Sequence, residues 1–229
     1  MAYVSKRYRA AVATSGYEKH KRYDLGSALG VLAGFPKPKF DETVELAMRL
    51  GIDPKKSDQM IRGSVSLPKG IGKSRSVIVF AEGEAAKEAE EAGADAVGGE
   101  ELAQRIQDGW MDFDVCIAHP AMMRVVGRLG RVLGPSGKMP SPKSGTVTPQ
   151  VGQAVTEFKA GKVEFRADAG GIVHVPVGKR SFEADALAEN IRFFVDHLLH
   201  VKPSAVKGPY IKKLSISGTM TPGLNLDLS

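Results

Sequence analysis

Residues 129–144 read LGRVLGPSGKMPSPKS, with three glycines, three prolines and three basic residues in sixteen positions. The GPSGK core has the residue types of a loop that cradles phosphate. That chemistry needs GxxxxGK followed by Ser or Thr, because the lysine reaches the phosphates and the hydroxyl holds magnesium. Here Met139 follows Lys138, and Val132 occupies the position five before Gly137. The stretch also follows a helical pattern rather than a buried strand, so its amides are not set up as a helix N-terminus aimed at an anion. GIGKSR at 70–75 fails in the same way, with Leu67 five before Gly72. No nucleotide cofactor is expected.

Other reactive side chains are equally sparse. Cys116 is the only cysteine and lies in the apolar run DVCIAHP, which makes it a packed small hydrophobe rather than a nucleophile. His197 and His200 share DHLLH without a third ligand nearby, so no metal site is expected. Glu90-Glu91 and Glu100-Glu101 sit on helical patterns whose solvated faces explain them, and no Ser, His and Asp grouping has an elbow motif. No catalytic residue is expected.

The elements that would carry these residues come in two kinds. From 71 to 159, apolar strands alternate with helices. SRSVIVF and DFDVCIAH are continuous apolar strands, EGEAAKEAEEAG and EELAQRIQDG are helices closed by Gly93 and Gly109, and ADAVGG reads as a turn. PAMMRVVGRLGRVLG opens with proline and keeps a helical period. This pattern predicts a three-layer α/β domain with a parallel, Rossmann-like sheet. The flanks alternate instead. FDETVELAMRLGID, GSVSLP and YIKKLSISGTM read as strands with one open face. KVEFRADAGGIVHVPVGK reads as a hairpin turning at DAGG, and Ser181 reads as the cap of a long helix with Leu187, Ile191, Phe194 and Leu198 on one face.

The expected architecture is therefore an α+β outer domain with an antiparallel sheet, formed by 1–70 and 160–229, and an α/β domain, 71–159, inserted through hinges near 68–72 and 158–162. Charge is split along the same lines. Residues 71–159 hold 10 Lys+Arg and 12 Asp+Glu, whereas the remainder holds 22 and 14, so the whole surplus lies on the outer part. That segregation points to a polyanionic partner for the outer domain. No apolar run approaches the roughly 20 residues of a membrane span, and the basic start MAYVSKRYR has no apolar signal core. Both favour the cytoplasm and no membrane partner.

Several segments carry a resemblance. LGRVLGPSGKMPSPKSGTV, LGIDPKKSDQMIRGSVSLPKGIGK at 50–73, GWMDFD at 109–114, KAGKVEFRAD at 159–168, HVPVGK at 174–179 and the terminal TMTPG resemble, in order and spacing, the bacterial L-one family of large-subunit ribosomal proteins. The likeness covers nearly the whole chain. It implies a non-enzymatic, monomeric protein with no cofactor, working in the cytoplasmic ribosome. Its partner would be large-subunit rRNA, with which it forms the mobile stalk beside the tRNA exit site. It would help deacylated tRNA leave that site, and it would repress translation of its own mRNA. The alternative is a freestanding RNA-binding translational regulator.

The resemblance also implies contact residues. Lys39, Phe40, Thr43, Glu45 and Arg49 match the rRNA-contacting strand region, Phe40 against a base or ribose and Lys39 against phosphate. Arg166 and His174, facing across the expected hairpin, and Lys162 and Lys179 near its ends would line the same face. Thr219 and Met220 match a terminal triplet whose third residue, a glycine in the family, is Thr221 here. Lys6, Arg7 and Arg9 add basic positions on the N-terminal helix. Arg128, Arg131, Lys138 and Lys143, around the loop at 129–144, are secondary RNA-contact candidates.

Overall fold

The computed structural model describes residues 6–56 and 58–227. In chain order its elements are α1 (Lys6–Ser15), β1 (Arg22–Tyr23), α2 (Leu25–Gly34), β2 (Thr43–Leu50) and β3 (Arg62–Ser66). There follow β4 (Val77–Phe80), α3 (Glu84–Glu91), β5 (Ala96–Gly98), α4 (Glu100–Gln107), β6 (Val115–Ala118), α5 (Met123–Gly127), α6 (Gly130–Leu133) and α7 (Val151–Ala160). The chain ends with β7 (Lys162–Arg166), β8 (Ile172–Lys179), α8 (Ala184–His200), β9 (Ile211–Gly218) and β10 (Leu224–Leu226). It divides into two compact units, one of residues 1–61, 67–72 and 165–229, the other of 62–66 and 73–164. By that division the first unit carries 20 Lys+Arg against 13 Asp+Glu, and the second 12 against 13.

The first unit is a five-stranded sheet in the order β1-β10-β9-β2-β8, antiparallel apart from the β1–β10 pair. Alternation in TVELAMRL puts Val44, Leu46, Met48 and Leu50 at 2% exposure or less, and turns Glu45 and Arg49 outward. α2 packs against β9, β10 and β1, and α8 against β8 and α2. α8 repeats its apolar residues at helical spacing, burying Leu187, Ile191, Phe194 and Leu198. Phe194 meets Phe165 edge to face, with ring centroids 5.3 Å apart.

One buried charge pair ties this unit together. Glu42 and Arg180, with side chains 0% and 6% exposed, meet at 2.5 Å. The Arg180 Nη2 donates to the carbonyls of Leu32 (3.1 Å), Ala33 (3.2 Å) and Phe35, so its cation caps the C-terminus of α2. The second unit holds a parallel sheet in the order β5-β4-β6. β4 and β6 are buried along their full length. Ile78, Phe80, Cys116 and Ala118 face α4, while Val77, Val79, Val115 and Ile117 face Ala89 of α3 and Val155 and Phe158 of α7. Burial raises the pKa of Cys116, as expected for an inert packed thiol.

Four expectations are corrected. The hairpin over 162–179 does not form. β8 pairs with β2 and β7 with β3, and the two arms are joined only at the turn, by an antiparallel Ala167–Val173 bridge and the Asp168 amide on the Ile172 carbonyl, so no ladder runs on through Arg166 and His174. Asp168 makes the turn, accepting the Gly170 and Ile172 amides at 2.8 Å each, but each arm has a better partner elsewhere. ADAVGG is not a turn, because residues 96–98 form the edge strand β5. Ser181 does not cap α8. Glu183 occupies the cap without a side-chain bond, and Ser181 is held by Asp41, its amide at 3.2 Å and its hydroxyl at 2.7 Å. The pattern from 120 to 134 is broken into a 3-10 turn, α5 and α6 rather than one helix.

Removing one member of a buried pair strands the other charge. Glu42→Ala or Arg180→Ala is expected to cost about 3–5 kcal/mol, read as a lower urea midpoint with an unchanged m-value. A loss under about 1 kcal/mol, the range of exposed ion pairs, would show that the pair does not organise this end of the fold.

Candidate nucleic-acid interface

Two surfaces of the first unit collect most of the sequence-derived candidates. One is the open face of the five-stranded sheet. Its registers line up Glu45 with Pro176 and Ser217, Ala47 with His174 and Ser215, and Arg49 with Ile172 and Lys213. The Ser215 row extends through Asn225 to Arg22, so polar or small residues cross every strand. His174 and Lys213 are exposed. Small side chains at 47, 215 and 217 leave the middle of this face shallow, with cations toward its edges. Such a surface admits a broad polyanion more readily than a small ligand.

The other surface is the end of the sheet where β2 begins and β9 finishes. Phe40 and Met220 are 52% and 53% exposed, large apolar side chains without a covering core. Around them the polar groups are interlocked. Lys179 Nζ donates to Thr43 Oγ1 at 2.9 Å and to the Asp41 carbonyl at 3.4 Å. Thr219 Oγ1 accepts the Thr43 amide at 3.3 Å and donates to the Thr43 carbonyl at 3.4 Å. Glu42 Oε1 accepts the Met220 amide at 3.0 Å while its other oxygen holds Arg180. The exposed tip thus rests on the buried pair. Beside Phe40 a cleft of about 290 Å³ is lined by Lys37, Pro38, Asp41, Glu42, Arg180 and Ser181.

Thr221 has a local role here. Its hydroxyl accepts the Gly218 amide at 2.7 Å, and its own amide donates to the Gly218 carbonyl at 3.2 Å. It closes a four-residue turn that leaves Thr219 and Met220 at the tip, so a side chain replaces the freedom of a glycine with a fixed bond.

The remaining candidates are dispersed. Lys39 is exposed beside Phe40, Lys6 is exposed on α1, and the side chain of Arg7 lies outside the described residues. Arg166 is exposed at the end of β7. Lys162 belongs to the second unit and is paired with Glu157 at 2.7 Å, its side chain 17% exposed. Of the secondary candidates, Arg131 and Lys143 are exposed and Arg128 reaches Glu100 at 3.6 Å. Lys138 turns inward, donating to the carbonyls of Met111 (3.0 Å) and Phe113 (2.6 Å), so it fastens its own loop. Glu42 and Arg180 were missed by sequence reasoning because charged residues ordinarily signal solvent. Ser215, Ser217 and Lys213 were legible from the alternation of β9, on the outward positions. Among the described residues, no group of three or more His, Cys, Asp or Glu could hold a metal ion, and no helix is long and apolar enough to cross a membrane.

Residues 32–222 match the sequence pattern of the Ribosomal protein L1p/L10e family. The chain is 60% identical over 226 residues, 99% of either chain, to the large ribosomal subunit protein uL1 of Rhodopirellula baltica.

Thr221→Val removes the acceptor of the Gly218 amide at nearly constant volume. Amide hydrogen exchange at Gly218 is expected to quicken by roughly tenfold, with a stability loss of about 1 kcal/mol. Unchanged exchange would mean that the turn is held without this hydroxyl.

Proposed function

The chain belongs to the Ribosomal protein L1p/L10e family, and on that premise we propose that its first unit grips a helical junction of large-subunit rRNA through the β2–β9 end of the sheet. It is a structural protein of the large ribosomal subunit, not an enzyme, and it works in the cytoplasm within the ribosome. The observation that carries the RNA reading is the joint exposure of Phe40 and Met220 on a polar frame, in the unit that holds the positive surplus. Apolar side chains at such a tip stack on bases or pack on riboses, and flanking lysines meet phosphates. Lys39, Thr43, Lys179 and Thr219 stand around this tip and are assigned to the interface, while Glu45, Arg49 and His174 on the open face, and Arg166 and Lys6 elsewhere on the same unit, are exposed positions that would extend it. Lys162, committed to Glu157, is left out.

In this reading residues 71–159 form an inserted α/β domain, and protein and rRNA together make the mobile stalk at the tRNA exit site. Arg128, Arg131 and Lys143 supply weaker contacts to deacylated tRNA as it leaves. The same rRNA-binding surface, offered a mimic of its site on the protein's own mRNA, represses translation. Gel shifts with the operon leader test that last step. No binding under conditions where rRNA binds would remove it.

The division of roles is tested by salt titration of rRNA affinity. Phe40→Ala and Met220→Ala are expected to weaken binding by roughly 10–100-fold with an unchanged log–log salt slope, at about 1–3 kcal/mol per stacked base. Lys39→Ala is expected to lower the slope by roughly one unit, one phosphate contact. Equal slopes in all three variants would refute the assignment. Cofractionation with large subunits after a high-salt wash separates this reading from a freestanding RNA-binding regulator, which would wash off.

A further inference from the structure

The loop at 129–144, barred by its spacing from cradling phosphate, nonetheless walls a pocket in the second unit. A space of about 190 Å³ lies between that loop, at Gly137 and Met139, the start of β6 and the strand β7. Val115 and Cys116, both buried, and the half-buried Met139 give it an apolar lining. Four charged side chains also line it, and two of them are spent. Asp114 accepts Lys73 Nζ at 2.9 and 3.0 Å, and Lys138 is fixed by the Met111 and Phe113 carbonyls. Arg75 and Glu164 are the other two, each half-buried. Among the described residues Arg75 makes no ion pair and no hydrogen bond, and Asp114 and Glu164 act on it only through space. Glu164 has the Ser144 hydroxyl on its carboxylate and otherwise only the fields of Arg62, Arg75 and Lys162. Burial lowers the pKa of Arg75 and raises that of Glu164, in each case against the pull of the opposite charges. A guanidinium fork and a carboxylate thus border one small space, close enough to feel each other and too far apart to bond.

We propose that this pocket receives one unpaired guanine of RNA. Size and charge select the occupant. The space is below the roughly 300–1,000 Å³ of ordinary small-molecule sites, so it admits a single base rather than a whole cofactor. A phosphate would face Glu164, and a metal cation would face Arg75. A neutral planar group with acceptors on one edge and donors on another satisfies both. Guanine presents O6 and N7 to an arginine fork, and its N1–H and N2 amine to a carboxylate. No other standard RNA base joins two adjacent acceptor atoms to two adjacent donor nitrogens. The loop supplies a fixed wall, because Lys138 fastens it. A Cβ at Gly137 would meet nothing within 4 Å, so the backbone there is open to an approaching ring. That the base comes from RNA rather than from a free nucleotide rests on the RNA-binding reading above; the chemistry of the pocket does not.

The test uses the full chain, with methyl NMR read at Val115 and Met139. Guanosine monophosphate is expected to shift both. Inosine monophosphate, which lacks only the N2 amine, should bind roughly tenfold more weakly, and adenosine monophosphate more weakly still. Glu164→Gln should erase the preference for guanosine over inosine monophosphate. Arg75→Lys, which keeps the charge and loses the fork, should weaken both by roughly tenfold and keep the preference. Unchanged methyl signals elsewhere show that a variant folds, and if one does not, the nucleotide series on the unaltered chain decides alone. Equal binding of guanosine and adenosine monophosphates, shifts confined to other surfaces, or inorganic phosphate or glycine alone moving these methyls would each overturn the proposal. The tetranucleotide UUGU should shift the same methyls where UUAU does not. Exclusion of UUGU while guanosine monophosphate binds would assign the pocket to a free nucleotide and overturn its RNA source. The rRNA tip is scored by its own variants at Phe40 and Met220, so either reading can fail alone.

Discussion

A buried guanidinium–carboxylate pair organises the end of the first unit where its exposed apolar side chains gather. Taking both charges out of water costs several kcal/mol each, and the cost is offset through the bonds of Arg180 Nη1 and Nη2 and of both Glu42 oxygens, with Arg180 Nε left without a partner among the described residues. Arg180 serves the pair, the C-terminus of α2 and the Pro36 carbonyl, while Glu42 serves the pair and the Met220 amide. Three segments far apart in sequence, residues 32–42, Arg180 and Met220, therefore share one electrostatic centre. The exposed tip above it is held from beneath by the Met220 amide on the buried Glu42 carboxylate. Any binding at this tip gains from such a footing, because ordering is completed in the free protein rather than at binding.

The two units solve the problem of sheet burial differently. In the second, β4 and β6 are covered on both faces, so their sequences are apolar without alternation. In the first, helices cover one face only, and the other is left to Glu45, Arg49, His174, Ser215 and Ser217. The same unit holds the positive surplus. Open face and charge thus coincide, whereas the two-sided sheet sits in a unit that is close to neutral. Lys138 shows why charge alone misleads. It stands beside Gly137 in a loop with the residue types of a phosphate cradle, yet its ammonium is consumed by two carbonyls and the ring of Phe113.

What was legible in the sequence follows from the reach of its periodicities. β2 and α8 are long enough for period 2 and period 3.6 to declare which side is buried, and the outward positions 43, 45 and 49 came with them. β1, β5 and β10, at two or three residues, are too short to show any period. The false hairpin had good turn chemistry in DAGG, but turn chemistry cannot reveal that β7 and β8 each have a partner about 100 residues or more away. The buried pair was illegible for a related reason. Nothing local distinguishes Glu42 and Arg180 from solvated charges, and only the packed fold brings them within 2.5 Å.

The strand order has a consequence for synthesis. β2 is flanked by β8 and β9, and Thr43 must wait for Lys179, 136 residues later, before its edge is paired. At roughly 5–20 residues per second, that interval is on the order of ten seconds or more, during which the apolar edge of TVELAMRL is outside the exit tunnel without its neighbours. The central segment, whose parallel sheet pairs only within itself, is complete once α7 has emerged, before Lys179 is made. The N-terminal third is thus made first and finished last. Its protection against edge-to-edge association in that window rests on what the strand itself carries, the outward Glu45 and Arg49, charges that discourage a second strand from adding.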